Sequence, residues 1–210
     1  MALHRMRFLR AVVIAGVCVA WSATGAIASA REPVDPSTLN PPPPDPFNAV
    51  CQAQGSQIVC DLAFSDPPLI DEPSGVVCDG TELLISQTRD VVGKRYYDAD
   101  GNLLVRHFRE TFTGDFTNPD TGMVATWTQH DTVIHRTATP GDVASGTTSV
   151  SGQVAHVRGP DGQTILIGAG RMLIDESDGE IISLHGPHPF DDYFAFGDTH
   201  ALDAICDALA

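Results

Sequence analysis

The sequence predicts an all-β fold, and two observations support that prediction. From residue 81 onwards, short runs rich in Val, Ile, Thr and aromatic residues alternate with clusters of Gly, Pro, Asn and Asp. These clusters recur at hairpin spacing and supply the residues that sharp chain reversals need. Neighbouring strands joined by such short turns form an antiparallel meander.

The predicted strands can be taken in chain order. A first strand lies near Ile58–Phe64, and the runs that follow are Glu82–Gln87, Lys94–Asp98, Leu103–Thr113, Met123–Arg136, Thr147–Arg158, Gln163–Ile174 and Glu180–His185. About eight strands are enough to close a small up-and-down barrel of the lipocalin-like kind, which removes exposed sheet edges. A two-sheet β-sandwich is the alternative.

One helix is predicted at the C-terminus, over residues 199–209. Asp198 or Thr199 is a suitable N-cap. The residues that follow place an apolar stripe at i, i+3, i+4 and i+7, formed by Leu202, Ile205, Cys206 and Leu209. We expect this stripe to pack against the β-structure.

The N-terminus has the pattern of a secretory signal peptide over residues 1–30. Three arginines precede an apolar run from Ala11 to Trp21, and Ala28-Ser29-Ala30 forms an A-x-A cleavage site. The apolar run is shorter than the roughly 20 residues of a membrane span. The sequence therefore predicts a secreted, extracellular protein with no transmembrane anchor after cleavage.

Residues 31–48 are predicted to be a Pro-rich linker, and residues 49–210 a single domain. Seven prolines in the linker favour extended polyproline geometry and remove backbone donors. We expect this segment to be a spacer between the cleavage site and the domain.

Four cysteines follow the predicted signal, and an even number in an exported chain predicts two disulfides. Gly55-Ser56 suits a two-residue type II′ turn, and that turn places Cys51 opposite Cys60. The favoured pairing is therefore Cys51–Cys60 with Cys78–Cys206. The alternative is Cys60–Cys78 with Cys51–Cys206.

Charge argues against two classes of partner. Without residues 1–30 the chain has nine basic and 27 acidic side chains, a formal charge of −18. Such a charge repels the phosphates of nucleic acids and anionic lipid surfaces. We expect a monomer without nucleic-acid partners, and no cofactor motif is present.

Several strands carry charged and polar residues on the same face as apolar ones. Leu104, Phe108 and Phe112 share a face with Arg106 and Glu110, and the strand containing Trp127 is similarly mixed. Such faces are expected where an interior holds a cavity with a few polar groups. The residues proposed to bind a ligand there are Arg106, Phe108, Trp127 and His130.

No sequence motif of a known catalytic centre is present, so the sequence favours a protein that is not an enzyme. The residues suited to acid–base catalysis are Glu110, His130, Asp131, His156 and Arg171. His185 and His188 form the densest group of metal-ligand residues, but their spacing matches no standard zinc site.

Several segments resemble those of uncharacterised secreted proteins from actinobacteria. They are Tyr96-Tyr-Asp-Ala-Asp-Gly-Asn102, Phe116-Thr-Asn-Pro-Asp-Thr-Gly122, Gly168-Ala-Gly-Arg171, Tyr193-Phe-Ala-Phe-Gly-Asp198 and Ile205-Cys-Asp-Ala-Leu-Ala210. The similarity extends from about Cys51 to the C-terminus. It implies an exported β-domain and assigns no role to any residue.

The leading functional hypothesis is non-catalytic binding of a small apolar or amphipathic molecule in a barrel cavity. An enzyme of the cyclase or isomerase type is one alternative, because similar barrels support such reactions without a sequence motif. A cell-envelope interaction protein, recognised through its linker, is the other.

Overall fold

A computed structural model of the chain describes residues 31–45, 47–189 and 199–210. The signal peptide predicted for residues 1–30 lies outside these residues. The strands are β1 (Glu32–Val34), β2 (Asn48–Gln54), β3 (Gln57–Ser65), β4 (Leu69–Cys78), β5 (Thr81–Tyr97), β6 (Leu103–Thr117), β7 (Val124–Arg136), β8 (Thr147–Arg158), β9 (Thr164–Asp175) and β10 (Ile181–His185). A 3₁₀ helix spans Pro36–Thr38, and an α-helix, α1, spans His200–Leu209.

All ten strands belong to one antiparallel sheet, so the all-β prediction is confirmed. The path through the sheet is β1-β2-β3-β5-β6-β7-β8-β9-β10. β4 continues the course of β3 along the same edge of β5, because β3 pairs with residues 90–97 and β4 with residues 81–87. Within the described residues β1 and β10 do not pair, so the sheet is open and the predicted barrel closure is not observed.

The long strand β5 defines the two faces of the sheet. Its odd-numbered residues include the buried Leu83, Val91 and Tyr97, whereas its even-numbered residues are mostly exposed. This alternation follows from the two-residue period of a strand. We call the side that bears the odd-numbered residues of β5 the covered face, and the other side the outer face.

The covered face carries two apolar clusters at opposite ends. The first lies under α1, and its buried members are Cys78, Leu83, Phe116, Ala125, Val157, Leu166, Ala201, Ile205 and Leu209. The second contains Leu39, Cys51, Cys60, Leu62, Tyr97 and Leu103. Charged and polar side chains occupy the covered face between the clusters, which is where the candidate site lies.

Residues 31–48 do not behave as the predicted spacer. β1 pairs with β2, and Leu39 is buried in the second apolar cluster. The segment is also bonded to the end of β5, because Arg95 Nη1 donates to the Pro42 carbonyl at 3.2 Å and Tyr97 Oη donates to the Pro41 carbonyl at 3.1 Å. The prolines remove backbone donors but leave carbonyl acceptors, and β5 supplies the donors.

Both predicted disulfides are present, Cys51–Cys60 within the β2–β3 hairpin and Cys78–Cys206 between β4 and α1. Cys51 and Cys60 are directly opposed in the register, as the Gly55-Ser56 turn predicts. Two disulfides are typical of proteins that mature in an oxidising compartment. None of the helices in the described residues has the length and apolar character needed to cross a membrane.

The predicted C-terminal helix is confirmed and begins at His200, after Thr199. The Thr199 hydroxyl makes no capping bond to the backbone and instead donates to Asp203 Oδ2 at 2.9 Å. Ile205 and Leu209 are fully buried, as the apolar stripe predicts. Ala201 is also buried, and Leu202 lies at the edge of the packed side, beside the cavity described next.

Candidate functional site

A cavity of about 550 Å³ lies on the covered face beside the first apolar cluster. Its floor is formed by side chains of β5 to β9, and its other walls are Val76 of β4 and Leu202 of α1. Phe116, Trp127 and Met172 contribute much of the apolar surface. The disulfide Cys78–Cys206 therefore joins the two elements that complete the cavity.

Polar groups line one part of this otherwise apolar cavity. Asp131, Gln129 and Gln87 reach its surface, and they lie on β7 and β5. Gln129 Nε2 donates to Asp131 Oδ2 at 3.1 Å. Asp131 is only 7% exposed, and its Oδ1 has no hydrogen-bond partner among the described residues. A buried carboxyl oxygen without a partner is costly, so this atom requires an explanation.

The surroundings of Asp131 disfavour its charged form. Burial is the main cause that raises the pKa of Asp131, and the nearby carboxylate of Glu110 raises it further. The hydrogen bond from Gln129, which is the second-largest influence, and the charge of Arg89 lower the pKa, but burial outweighs them. Perturbed carboxyl groups in a cavity are characteristic of functional sites.

Glu110 and Asp131 face each other across β6 and β7. Arg89 on β5 pairs with Glu110, with Nη2 3.0 Å from Oε2, and also with Asp66 at 3.4 Å. The Arg89 guanidinium lies over the Phe112 ring, 5.2 Å from its centroid. These contacts hold the Arg89 guanidinium on the β5–β6 side of the Glu110–Asp131 pair, away from Asp131.

Trp127 is fixed by aromatic packing. Its ring lies 5.8 Å from that of Phe112 and 6.3 Å from that of Phe116, in stacked geometry. The indole Nε1 has no hydrogen-bond partner within the described structure. It lies over Gly114, where a Cβ atom would be 2.6 Å away.

A second polar group lies on the covered face towards the second apolar cluster. Arg106 Nε donates to His135 Nδ1 at 2.9 Å, and His135 Nε2 lies 2.9 Å from the Ser145 carbonyl. Because the arginine nitrogen can only donate, Nδ1 must accept and Nε2 must carry the proton that reaches Ser145. This group fixes the loop that contains Ser145 and does not line the cavity.

The five acid–base candidates do not converge at one site. Glu110 and Asp131 share the covered face, whereas His130, His156 and Arg171 occupy the outer face. Each of these three outer-face side chains forms a hydrogen bond with a hydroxyl on a neighbouring strand. The pairs are His130–Thr111, His156–Thr164 and Arg171–Ser149. The strand period separates His130 from its neighbour Asp131, since adjacent residues point to opposite faces.

The four ligand-binding candidates are also divided. Trp127 lines the cavity, and His130 is on the outer face. Phe108 packs with Phe47, at 5.9 Å between ring centroids, in the second apolar cluster. Arg106 is bonded to His135 instead.

The metal-ligand candidates do not form a cluster in the structure. His185 is exposed, whereas His188 is buried, with its Nε2 3.0 Å from the backbone carbonyl of His185. Over residues 31–45, 47–189 and 199–210, no three side chains of His, Cys, Asp or Glu are grouped to hold a metal ion.

Several cavity residues were not identified from the sequence. Gln129 could have been found, because it is two residues from Asp131 and therefore on the same face. Val76 and Leu202 carry no such signal, since they reach the cavity only through the packing of β4 and α1.

Comparisons with known proteins found no match to a family model, a curated protein or a solved structure. The resemblance to secreted actinobacterial proteins therefore stays a prediction.

Proposed function

We propose that this is a secreted protein that binds a small apolar or amphipathic molecule in the cavity on the covered face. The observation that carries the proposal is the composition of the cavity wall, which is largely apolar with polar groups at one part. Small-molecule sites typically combine such a wall with a few oriented polar groups, in volumes of roughly 300–1,000 Å³.

Two unpartnered polar atoms support the proposal further. Asp131 Oδ1 and Trp127 Nε1 have no hydrogen-bond partner within the described residues; both side chains line the cavity, but Nε1 itself lies over Gly114, so Asp131 Oδ1 is the atom that matters for a ligand. Native proteins rarely leave buried polar atoms unpaired. An amphipathic ligand that is polar at one end would compensate the cost at this part of the wall.

Fluorescence of Trp127 provides a direct test. The chain has two tryptophans, Trp21 in the predicted signal peptide and Trp127, so Trp127 is the single reporter in the mature protein and in a full chain carrying Trp21→Phe. The probe is N-phenyl-1-naphthylamine, an apolar dye that fluoresces in dry sites. We expect saturable binding of about one dye per chain, with Trp127 emission falling as dye emission rises. Binding that does not saturate, or that leaves Trp127 emission unchanged, would overturn the proposal.

Matched variants locate the binding site. Val150 lines the cavity, whereas Ile167 is 50% exposed on the outer face. Val150→Phe fills part of the cavity and should weaken dye binding at least tenfold. Ile167→Phe adds the same ring outside it and should leave binding unchanged. Equal effects of the two variants would place the dye elsewhere.

A second candidate function is acid–base catalysis of the isomerase type, which the opposed pair Glu110 and Asp131 favours. Asp131 has the environment of a proton donor, and Glu110 forms an ion pair with Arg89. Isomerisation needs one proton given and one taken, so it requires no co-reactant. Glu110 does not itself line the cavity, which makes binding the leading proposal.

Hydrogen exchange tests the catalytic candidate. The probe is 4-phenyl-2-butanone in D₂O, whose α-hydrogens exchange when a base removes them and an acid assists at the carbonyl. Catalysis predicts exchange above the buffer rate and its loss in Asp131→Asn. Exchange at the buffer rate in the wild-type chain would reject this candidate.

A further inference from the structure

We propose that the ligand is an apolar amine whose protonated nitrogen lies at the carboxyl group of Asp131. Its apolar body would lie along Trp127 and Val150. This inference rests on the proposed binding function and specifies the chemical class of the ligand.

Asp131 is the charged anchor that the cavity offers. Among the described residues that line the cavity, it is the one ionisable side chain; the others are apolar residues, glutamines, a serine and a glycine. A protonated amine is the ligand group that such a carboxyl pairs with most strongly, because both partners are charged and hydrogen-bonded. The glutamine side chains can accept or donate to the remaining N–H groups.

Within the part of the chain that the structure describes, no cation forms an ion pair with Asp131. The ion pairs of the described residues are Arg89–Asp66, Arg89–Glu110 and Lys94–Asp61, and none of them includes Asp131. Buried carboxyl groups normally have a cationic partner or a full set of hydrogen bonds. Since Arg89 is engaged by two other carboxylates, a ligand cation would supply the partner that no described residue gives to Asp131.

The aromatic wall suits the apolar body of such a ligand, and the net charge favours its cationic group. Trp127 and Phe116 line the cavity and supply apolar surface for the body. The formal charge of the whole chain is −15, so cations are attracted to the protein and anions repelled. A ligand carboxylate would in addition meet the carboxyl group of Asp131.

Three probes with the same body test the inference: 4-phenylbutylamine, 4-phenylbutanol and 4-phenylbutyrate. Each is titrated into the full chain carrying Trp21→Phe at pH 7, with Trp127 emission and displacement of N-phenyl-1-naphthylamine as readouts. We expect the amine to bind at least tenfold more tightly than the alcohol, and the carboxylate to bind most weakly. In Asp131→Asn the advantage of the amine over the alcohol should disappear.

Asp161→Asn is the control, because it removes the same charge from an exposed turn and should keep the amine preference. Displacement of the dye by amine and alcohol at equal concentrations would overturn the amine inference and leave the proposed function intact. Tightest binding of 4-phenylbutyrate would also overturn it. If none of the probes nor the dye binds, the proposed function itself fails. The comparison of probes on the wild-type Asp131 chain requires no substitution at this position, so misfolding of Asp131→Asn would not prevent the test.

Discussion

Glu110 and Asp131 are direct cross-strand partners, yet only Glu110 is paired with a cation. Like charges opposite each other destabilise an antiparallel pair. Arg89 relieves this repulsion at Glu110, while Asp131 is left with one bond from Gln129 and an unpartnered Oδ1. The opposed carboxyl groups therefore destabilise the sheet at Asp131, which lines the cavity.

Asp131→Asn should stabilise the protein at neutral pH. Because the folded-state pKa of Asp131 is raised above the ordinary value of 3.8, the folded state binds the proton more tightly than the unfolded state. The free energy of unfolding therefore falls as the pH rises from the ordinary pKa through the raised folded-state pKa of Asp131. Asparagine does not ionise, so the variant does not lose this free energy. We expect a gain of about 1 kcal/mol at pH 7 and no gain near pH 3.

Thermal unfolding of both proteins between pH 3 and pH 8 measures this difference. The side chains that act on the pKa of Asp131 are Gln129, Glu110 and Arg89, and they are the same in both proteins. Asp161→Asn controls for the change in net charge and should show no such pH-dependent gain. A stability difference that is constant over the range would mean that Asp131 titrates alike in the folded and unfolded states.

Gly114→Ala should destabilise the protein and disturb Trp127. A Cβ atom there would overlap the backbone carbonyl of Ser86 and lie 2.6 Å from Trp127 Nε1. We expect a loss of about 1–3 kcal/mol, the usual effect of overpacking, and a changed Trp127 emission maximum. Gly159→Ala is the matched control, since its Cβ would meet only the flexible end of Gln163. Equal unfolding midpoints for the two variants would contradict this account.

His135 should carry its proton on Nε2 and none on Nδ1. The Arg106 Nε–H group faces Nδ1, and the Ser145 carbonyl faces Nε2. Nitrogen-15 NMR at neutral pH distinguishes the two ring nitrogens, and a protonated Nδ1 would contradict the assignment. His135→Ala should cost about 2–4 kcal/mol, because it removes both bonds and leaves a void at a site 1% exposed. His130→Ala, at an exposed position, should change stability by less than about 0.5 kcal/mol.

Removing the two disulfides should have unequal effects. The Cys78–Cys206 bridge closes a separation of 128 residues, and the Cys51–Cys60 bridge one of nine. Loop-closure entropy then predicts losses of about 5 and about 2.6 kcal/mol for the paired serine variants. Urea unfolding compares them. The larger loss should be accompanied by weaker dye binding, because that bridge joins β4 to α1 at the cavity; equal losses would rule out the loop-length explanation.

The sequence predicted local structure well and long-range pairing poorly. The hairpin turns, the C-terminal helix and the Cys51–Cys60 disulfide follow from short patterns of residues, and Cys78–Cys206 follows as the pair that remains. By contrast, β5 was predicted as two strands, because Arg89 and Asp90 interrupt its apolar pattern. Arg89 lies within β5 because its ion-pair partner Glu110 is on the neighbouring strand β6, opposite Val91. No local sequence pattern reveals a pairing between residues so far apart in the chain.

Individual residues of the candidate site were predictable from the sequence, whereas their arrangement in space was not. Asp131 and Trp127 were identified because they lie in a strand with mixed faces. His130 and Asp131 do not belong to one site, since adjacent strand residues point to opposite faces. The walls formed by Val76 and Leu202 depend on how β4 and α1 pack, which a single sequence does not encode locally.

Leu39→Ala distinguishes the packed N-terminal segment from a spacer. Leu39 is 4% exposed in the second apolar cluster, beside Tyr97 and Leu103. Truncating a buried leucine leaves a cavity and should lower the free energy of unfolding by about 2–5 kcal/mol, as measured by urea unfolding. Ser37→Ala, two residues earlier at an exposed position, should cost far less, although it removes the hydroxyl bond to Asp35. A true linker predicts no loss for either variant. A loss for Leu39→Ala alone would establish that residues 31–48 are part of the folded domain.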